Sequence, residues 1–191
     1  MNNKSRTIQK VCEALLAGDQ ESASSIARAE FPFTGEPPAG RKYKEAESTR
    51  IFIRDGFVDR YSGDRLIFPA ALRLLSRLLP EEFPFQANWK MSECHIVYWE
   101  LSPTVDHVVP VARGGADDET NWVTTSMLRN SAKSNWTLEE LGWTLLPPGD
   151  FSVWNGLTGW LVEYVSLEPE HLQDARIKRW YNAAVRALNA V

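Results

Sequence analysis

Apolar residues recur at helical spacing near the start of the chain. Ile8, Val11, Cys12, Leu15 and Leu16 form one stripe, and Gly18 ends it. This predicts a helix packing on a core, with Cys12 as a buried thiol on the stripe. A second short helix is expected over residues 21–29. Residues 31–44, FPFTGEPPAGRKYK, gather proline and glycine and read as a loop or linker. Residues 50–66, RIFIRDGFVDRYSGDRL, read as strand, turn and strand. AALRLLSRLL, between Pro69 and Pro80, predicts a short helix with proline punctuation at both ends. Its leucines share one stripe, and Arg73 and Arg77 lie one turn apart on another. Residues 81–101 are rich in aromatics and proline and show no regular period. The last segment, EPEHLQDARIKRWYNAAVRALNA, predicts a helix with Pro169 in its first turn. Leu172, Ala175, Trp180, Ala183 and Leu188 form its apolar stripe, and Arg176, Lys178, Arg179 and Arg186 make it basic.

The densest pattern runs through DHVVPVARGGADDETNWVTTSMLRNSAKSN, which starts at Asp106 and ends at Asn135. Residues 104–109 predict a short strand, because Val105, Val108 and Val109 favour extended backbone. Residues 110–120 predict a loop, in which Gly114 and Gly115 allow turns closed to other residues. Residues 121–125 predict a second strand. Ser126 can then cap a helix through Asn135 by accepting from the free N–H groups of its first turn. A hairpin with a helix across it brings Asp106 and Asn130 together, each offering oxygen. Hard oxygen donors that leave positions open suit Mg²⁺ or Mn²⁺, which keep waters and take phosphate oxygens. His107 points to the other side of an ideal strand, so local twist must bring it near a bound phosphate. There a neutral imidazole can act as general base for water. Asn121 can hold the loop or fix the imidazole. Lys133, three residues after Asn130, is expected on the same helix face within reach of phosphate.

Composition narrows the partners. The 191 residues are 43% hydrophobic and 24% charged, ordinary globular material for one sizeable core. Eight tryptophans point to buried aromatic anchors. A net charge of −4 does not attract a polyanion, so nucleic-acid binding requires a local basic face. Arg113, Arg129 and Lys133 are its expected members, with Lys90, Arg73 and the basic last helix beside them. No apolar run of membrane-spanning length and no leader pattern occurs, so no membrane contact is expected. Cys12 and Cys94 form neither a disulfide framework nor a metal-binding pair, and a reducing cytoplasm is the expected compartment.

The segment resembles the HNH (ββα-metal) endonuclease family. The residues that carry the likeness are Asp106-His107, Pro110, Gly114-Gly115, Asn121 and Asn130, followed by Ala132-Lys133, in matching order over some thirty residues. Asparagine stands at the third signature position, which makes this the HNN form. The resemblance implies that Asp106 and Asn130 bind the metal, that His107 is the base, and that Asn121 is the structural asparagine. It extends upstream to RDGFVDRYSG, where Asp59 and Ser62 occupy positions that are cysteines in the commoner, zinc-stabilised subtype. The other cysteine pair would fall near Ser126 and Arg129. No structural zinc is therefore expected, and packing by Tyr61 and Trp122 is expected in its place.

The expected fold is α+β, with a small ββα-metal core at residues 104–135 inside a mainly helical single domain. Residues 1–45 are read as an N-terminal helical segment and linker, 46–146 as the nuclease domain, and 147–191 as a helical extension packed on the core. The expected activity is metal-dependent hydrolysis of DNA, with RNA as an alternative substrate, and cutting of both strands would favour a homodimer. A non-catalytic nucleic-acid-binding or assembly module on a degenerate nuclease core is the rival class. Of the other histidines, His95 is expected in an aromatic cluster and His171 on the surface. Asp117, Asp118 and Glu119 are expected as solvated loop charges.

Overall fold

A computed structural model describes residues 4–32 and 43–189. Most of the expected linker therefore lies outside the described residues. The fold is α+β, mainly helical, with one two-stranded antiparallel sheet. The chain divides into two compact units, Met1–Gly40 and Arg41–Val191. Among the described residues no helix is long and apolar enough to cross a membrane.

The first unit is a helix pair, α1 (Lys4–Leu16) and α2 (Gln20–Glu30), in which Asp19 caps α2 by accepting from the Ser22 N–H at 2.9 Å. Ala23 is buried, but α1 buries no residue, and Leu16 is 90% exposed. Cys12 is exposed, which corrects the expected buried thiol. Two helices share only one seam, so most of an apolar stripe stays uncovered in such a unit.

The second unit begins with α3 (Glu45–Arg54), which overturns the expectation of a strand at residues 50–54. Glu45 and Glu47 stand in the first turn and Arg54 in the last, each favourable to the helix dipole. The β-branched Ile51 and Ile53 cost only tenths of a kcal/mol in a helix. Burial of Ile51 and Phe52, both 1% exposed, outweighs that cost. Residues 55–65 turn back on themselves, leaving only an isolated bridge between Val58 and Arg65 of the expected second strand.

Next come α4 (Pro69–Leu78), which opens on its proline, and the short α5 (Val97–Glu100). β1 (Pro103–His107) pairs with β2 (Trp122–Ser126), with Val105 opposite Thr124, Asp106 opposite Val123 and His107 opposite Trp122. The helices α6 (Met127–Lys133) and α7 (Leu138–Leu141) follow. An extended stretch leads to α8 (Thr158–Leu167) and α9 (Ala175–Leu188). Pro169 opens a separate 3-10 turn, Pro169–Gln173, and Asp174 then caps α9, so the final pattern is two elements. His171 is buried against Tyr164, not on the surface as expected. Ile51, Phe52, Phe68, Leu74, Leu161 and Ile177 anchor one core that α3, α4, α8 and α9 share, and Val105 reaches it from the hairpin. The C-terminal helices are thus part of that core.

Candidate functional site

Local chemistry builds the hairpin and its helix. β2 ends at Ser126, whose side chain accepts from the Arg129 N–H at 3.2 Å and so starts α6 directly off the strand. This places α6 against β1, with consecutive β1 residues facing opposite ways.

Asp106 is 7% exposed. Its Oδ2 accepts from the Tyr61 hydroxyl at 2.7 Å and lies 3.0 Å from Lys133 Nζ. Lys133 is fully buried, and its Nζ also donates to the His107 carbonyl at 2.7 Å. The expected phosphate contact by Lys133 is therefore corrected: its ammonium is spent inside, fixing the Asp106 carboxylate and the His107 backbone together. Burial raises the Tyr61 hydroxyl above its ordinary value, and the Asp106 charge and hydrogen bond raise it further, so Tyr61 stays a donor. Asn130 Nδ2 lies 3.4 Å from the Val105 carbonyl and 3.5 Å from Thr104 Oγ1. A carbonyl only accepts, so this contact assigns the amide nitrogen to β1 and turns the amide oxygen away from it.

His107, at the end of β1, is 8% exposed. Its Nε2 lies 2.8 Å from Asp117 Oδ1 and 2.9 Å from the Trp122 indole nitrogen, and the Tyr43 hydroxyl lies 3.3 Å from Nδ1. The two contacts at Nε2 make opposite demands. A carboxylate needs a proton there, whereas an indole N–H needs a lone pair. The two demands exclude one another: a proton on Nε2 toward Asp117 leaves the lone pair on Nδ1, and a lone pair on Nε2 toward the indole N–H puts the proton on Nδ1. Asp117 belongs to the loop run expected to be solvated, and no spacing in the sequence marks it as the imidazole's partner. Of its neighbours, Glu119 pairs with Arg50 at 2.6 Å and Asp118 caps Thr120.

Asn121 closes the loop. Its Oδ1 accepts from the Val109 N–H at 2.9 Å, and its Nδ2 donates to the carbonyls of Val109 and Ala116, each at 2.8 Å. It thus serves the backbone; these bonds do not reach the imidazole. The double glycine has two separate causes. Gly114 sits at φ +86°, a left-handed conformation, while a Cβ on Gly115 would come within 1.9 Å of the Val109 carbonyl oxygen.

Behind β2 lie two fully buried acids, Asp55 and Asp59. Asp55 accepts from the Thr124 N–H at 2.7 Å and pairs with Arg60 at 2.9 Å. Asp59 accepts from the N–H groups of Ser126 (2.8 Å) and Tyr61 (2.9 Å) and from the Thr125 hydroxyl (3.1 Å). Asp59 and Ser126, two positions at which the zinc-stabilised subtype is expected to carry cysteine, are joined here by a hydrogen bond. Beside this bond Tyr61 is buried against Trp143 and Trp122 packs on the main core, the packing expected here.

The structure therefore brings Asp106, Lys133, Tyr61 and the His107 carbonyl to one point, with Asn130 beside β1 and the His107 imidazole in its own set of contacts. Of the expected basic face, exposed Arg113 lies 3.5 Å from Glu140, and the Arg129 guanidinium lies 5.4 Å from the centre of the Trp143 ring. His95 sits at 5.3 Å from Phe83 and accepts from the Val97 N–H, the expected aromatic surroundings. Among the described residues no cluster of three His, Cys, Asp or Glu forms a metal cage. The two residues expected to hold a hard cation are a carboxylate already engaged by Lys133 and Tyr61 and an amide whose nitrogen faces β1. Compared with protein-family models and with curated proteins, the chain matches none.

Proposed function

We propose that the hairpin and α6 form the centre of a metal-dependent endonuclease that hydrolyses phosphodiester bonds in DNA, the activity implied by the resemblance to the HNH family. The observation that carries this reading is the His107 imidazole. It is held by a carboxylate at Nε2 at the end of β1, one residue after the buried carboxylate of Asp106.

In this reading Nδ1 takes a proton from water as the water attacks phosphorus in line. Asp117 stabilises the imidazolium that results, because its charge faces the Nε2 proton. Asp106 and Asn130 hold the cation. A bound Mg²⁺ or Mn²⁺ supplies positive charge against the charge that develops on the phosphate and its leaving oxygen. Lys133 keeps the Asp106 carboxylate and the His107 backbone in one arrangement, and Tyr61 fixes the same carboxylate from the other element. Arg113 and Arg129 contact phosphates along the strand. The resemblance implies products that carry a 5′-phosphate.

Nicking of supercoiled plasmid with Mg²⁺, Mn²⁺ or EDTA, beside the same assay on RNA, tests the reading. Cleavage needs the cation, and His107→Ala lowers the rate by about 10²–10⁴-fold, the usual worth of a general base. A His107→Ala protein that nicks as fast as the wild type overturns it, and cleavage confined to RNA reassigns the substrate.

A further inference from the structure

A cavity of about 170 Å³ opens between α4, the loop before α5, the start of β1 and α9. Its walls are the rings of Phe85, Trp89, Tyr98 and Trp180 and the guanidinium groups of Arg73 and Arg176. Both arginines lie against one ring: their guanidinium carbons are 4.5 and 5.5 Å from the centre of Phe85. Arg73 is held there by Asp174 at 3.2 Å, while Arg176 is exposed at the rim. The Tyr98 hydroxyl is committed to the Leu72 carbonyl at 2.9 Å and to Ser76, so Tyr98 offers the cavity its ring. An apolar cavity of about 150 Å³ accommodates a benzene-sized ring. This cavity therefore admits one heteroaromatic ring and not a base pair.

Thr104 is the link to the candidate centre. It lines the cavity, and its Oγ1 lies 3.5 Å from Asn130 Nδ2. It stands two residues before Asp106 on the same face of β1, about 6.6 Å along the strand. We infer that this cavity binds an unpaired pyrimidine-sized base of the nucleic-acid strand beside the scissile phosphate. The aromatic walls stack the base and the arginines face its phosphates, the combination by which proteins hold single strands. The inference takes the placement of the base from the proposed nuclease reading, while binding itself needs no cleavage.

The test uses the full chain in EDTA and fluorescence anisotropy. The probes are a labelled oligothymidylate of about a dozen nucleotides, within usual single-strand site sizes, and an abasic strand of equal length. The wild type is expected to bind the thymidylate at least about fivefold more tightly than the abasic strand, the lower end of one base–aromatic stack. Phe85→Leu brings that ratio close to one. Arg176→Gln weakens both strands alike and flattens their salt dependence. Equal wild-type affinity for the two strands overturns the inference, and so does an unchanged ratio in Phe85→Leu. The wild-type comparison stands even if a variant fails to fold. Plasmid nicking without a thymidylate preference sinks the base site alone, and a preference without nicking sinks the nuclease reading alone.

Discussion

Two pairs of acids flank the same hairpin and are used in opposite ways. Asp55 and Asp59 are fully buried, and each accepts from backbone N–H groups of β2. Asp106 and Asp117 instead hold side chains: Lys133, Tyr61 and the His107 imidazole. A backbone donor cannot leave without unfolding the strand, whereas a side chain can rotate. The first pair is tied to the strand itself, while the second is held by side chains. Burial alone would not separate the two roles, since Asp106 is only 7% exposed. What separates them is the β2 N–H groups that Asp55 and Asp59 accept besides Arg60 and the Thr125 hydroxyl. Tyr61 joins the pairs, because its N–H goes to Asp59 and its hydroxyl to Asp106.

The sharpest way to break this contrast is to remove a partner from each side. Lys133→Met leaves the Asp106 charge buried without its cation, and a loss of about 3–5 kcal/mol is expected in urea unfolding. Adding Asp106→Leu to that variant should restore most of the stability, because the uncompensated charge is then gone. If the double variant is no more stable than the single, the pair is not the source of the loss. On the other side, Asp59→Asn turns an amide donor toward N–H groups, and about 2–3 kcal/mol is expected to be lost by the same measurement. Activity per folded molecule should be unchanged, and a fall in that activity would erase the distinction between the pairs.

A smaller effect tests the dyad. Asp117→Asn keeps the shape but removes the charge that faces Nε2. Nicking is expected to slow by about ten- to hundredfold, the usual cost of losing an outer partner that orients an imidazole. Stability should change little, because Asp117 is a half-exposed loop residue. A rate equal to the wild type would leave Asp117 as loop structure only.

The smallest effect is in pH. The Tyr61 hydroxyl titrates above its ordinary 10.0 in the folded chain, so the folded state keeps a proton that the unfolded state loses. That contribution is complete below pH 10 and is lost as pH rises beyond it. Urea midpoints measured between about pH 9 and about pH 11 should fall less steeply in Tyr61→Phe than in the wild type. The difference should reach at most about 1.4 kcal/mol per pH unit, one proton's worth. Parallel curves would mean that neither burial nor Asp106 holds the Tyr61 proton in the folded chain.

What could be read from the sequence was what short-range chemistry decides. The hairpin lies within two residues of its expected bounds, because valines, Pro110 and the double glycine act locally. Ser126 caps α6 as its position predicts. α4 opens on Pro69 for the same kind of reason. By contrast, α3 was hidden because Ile51 and Ile53 favour strands locally, and only packing on α9, more than a hundred residues away, decides otherwise. Lys133 gives no sign of its burial, since a lysine in the last turn of a short helix is ordinarily solvated. Asp117 and Asp59 meet their partners across ten and sixty-seven residues, distances at which no period or spacing speaks. At the candidate centre the residue types were legible and their partners were not.

One consequence lies away from the hairpin. Of the two cysteines, Cys94 is buried and Cys12 is exposed on α1. A thiol-directed dye or spin label added to the native chain should therefore attach to the helix pair and leave the second unit unmodified. Its rotational correlation time, with and without nucleic acid, would report whether the pair tumbles with the larger unit or independently of it, with no residue substituted.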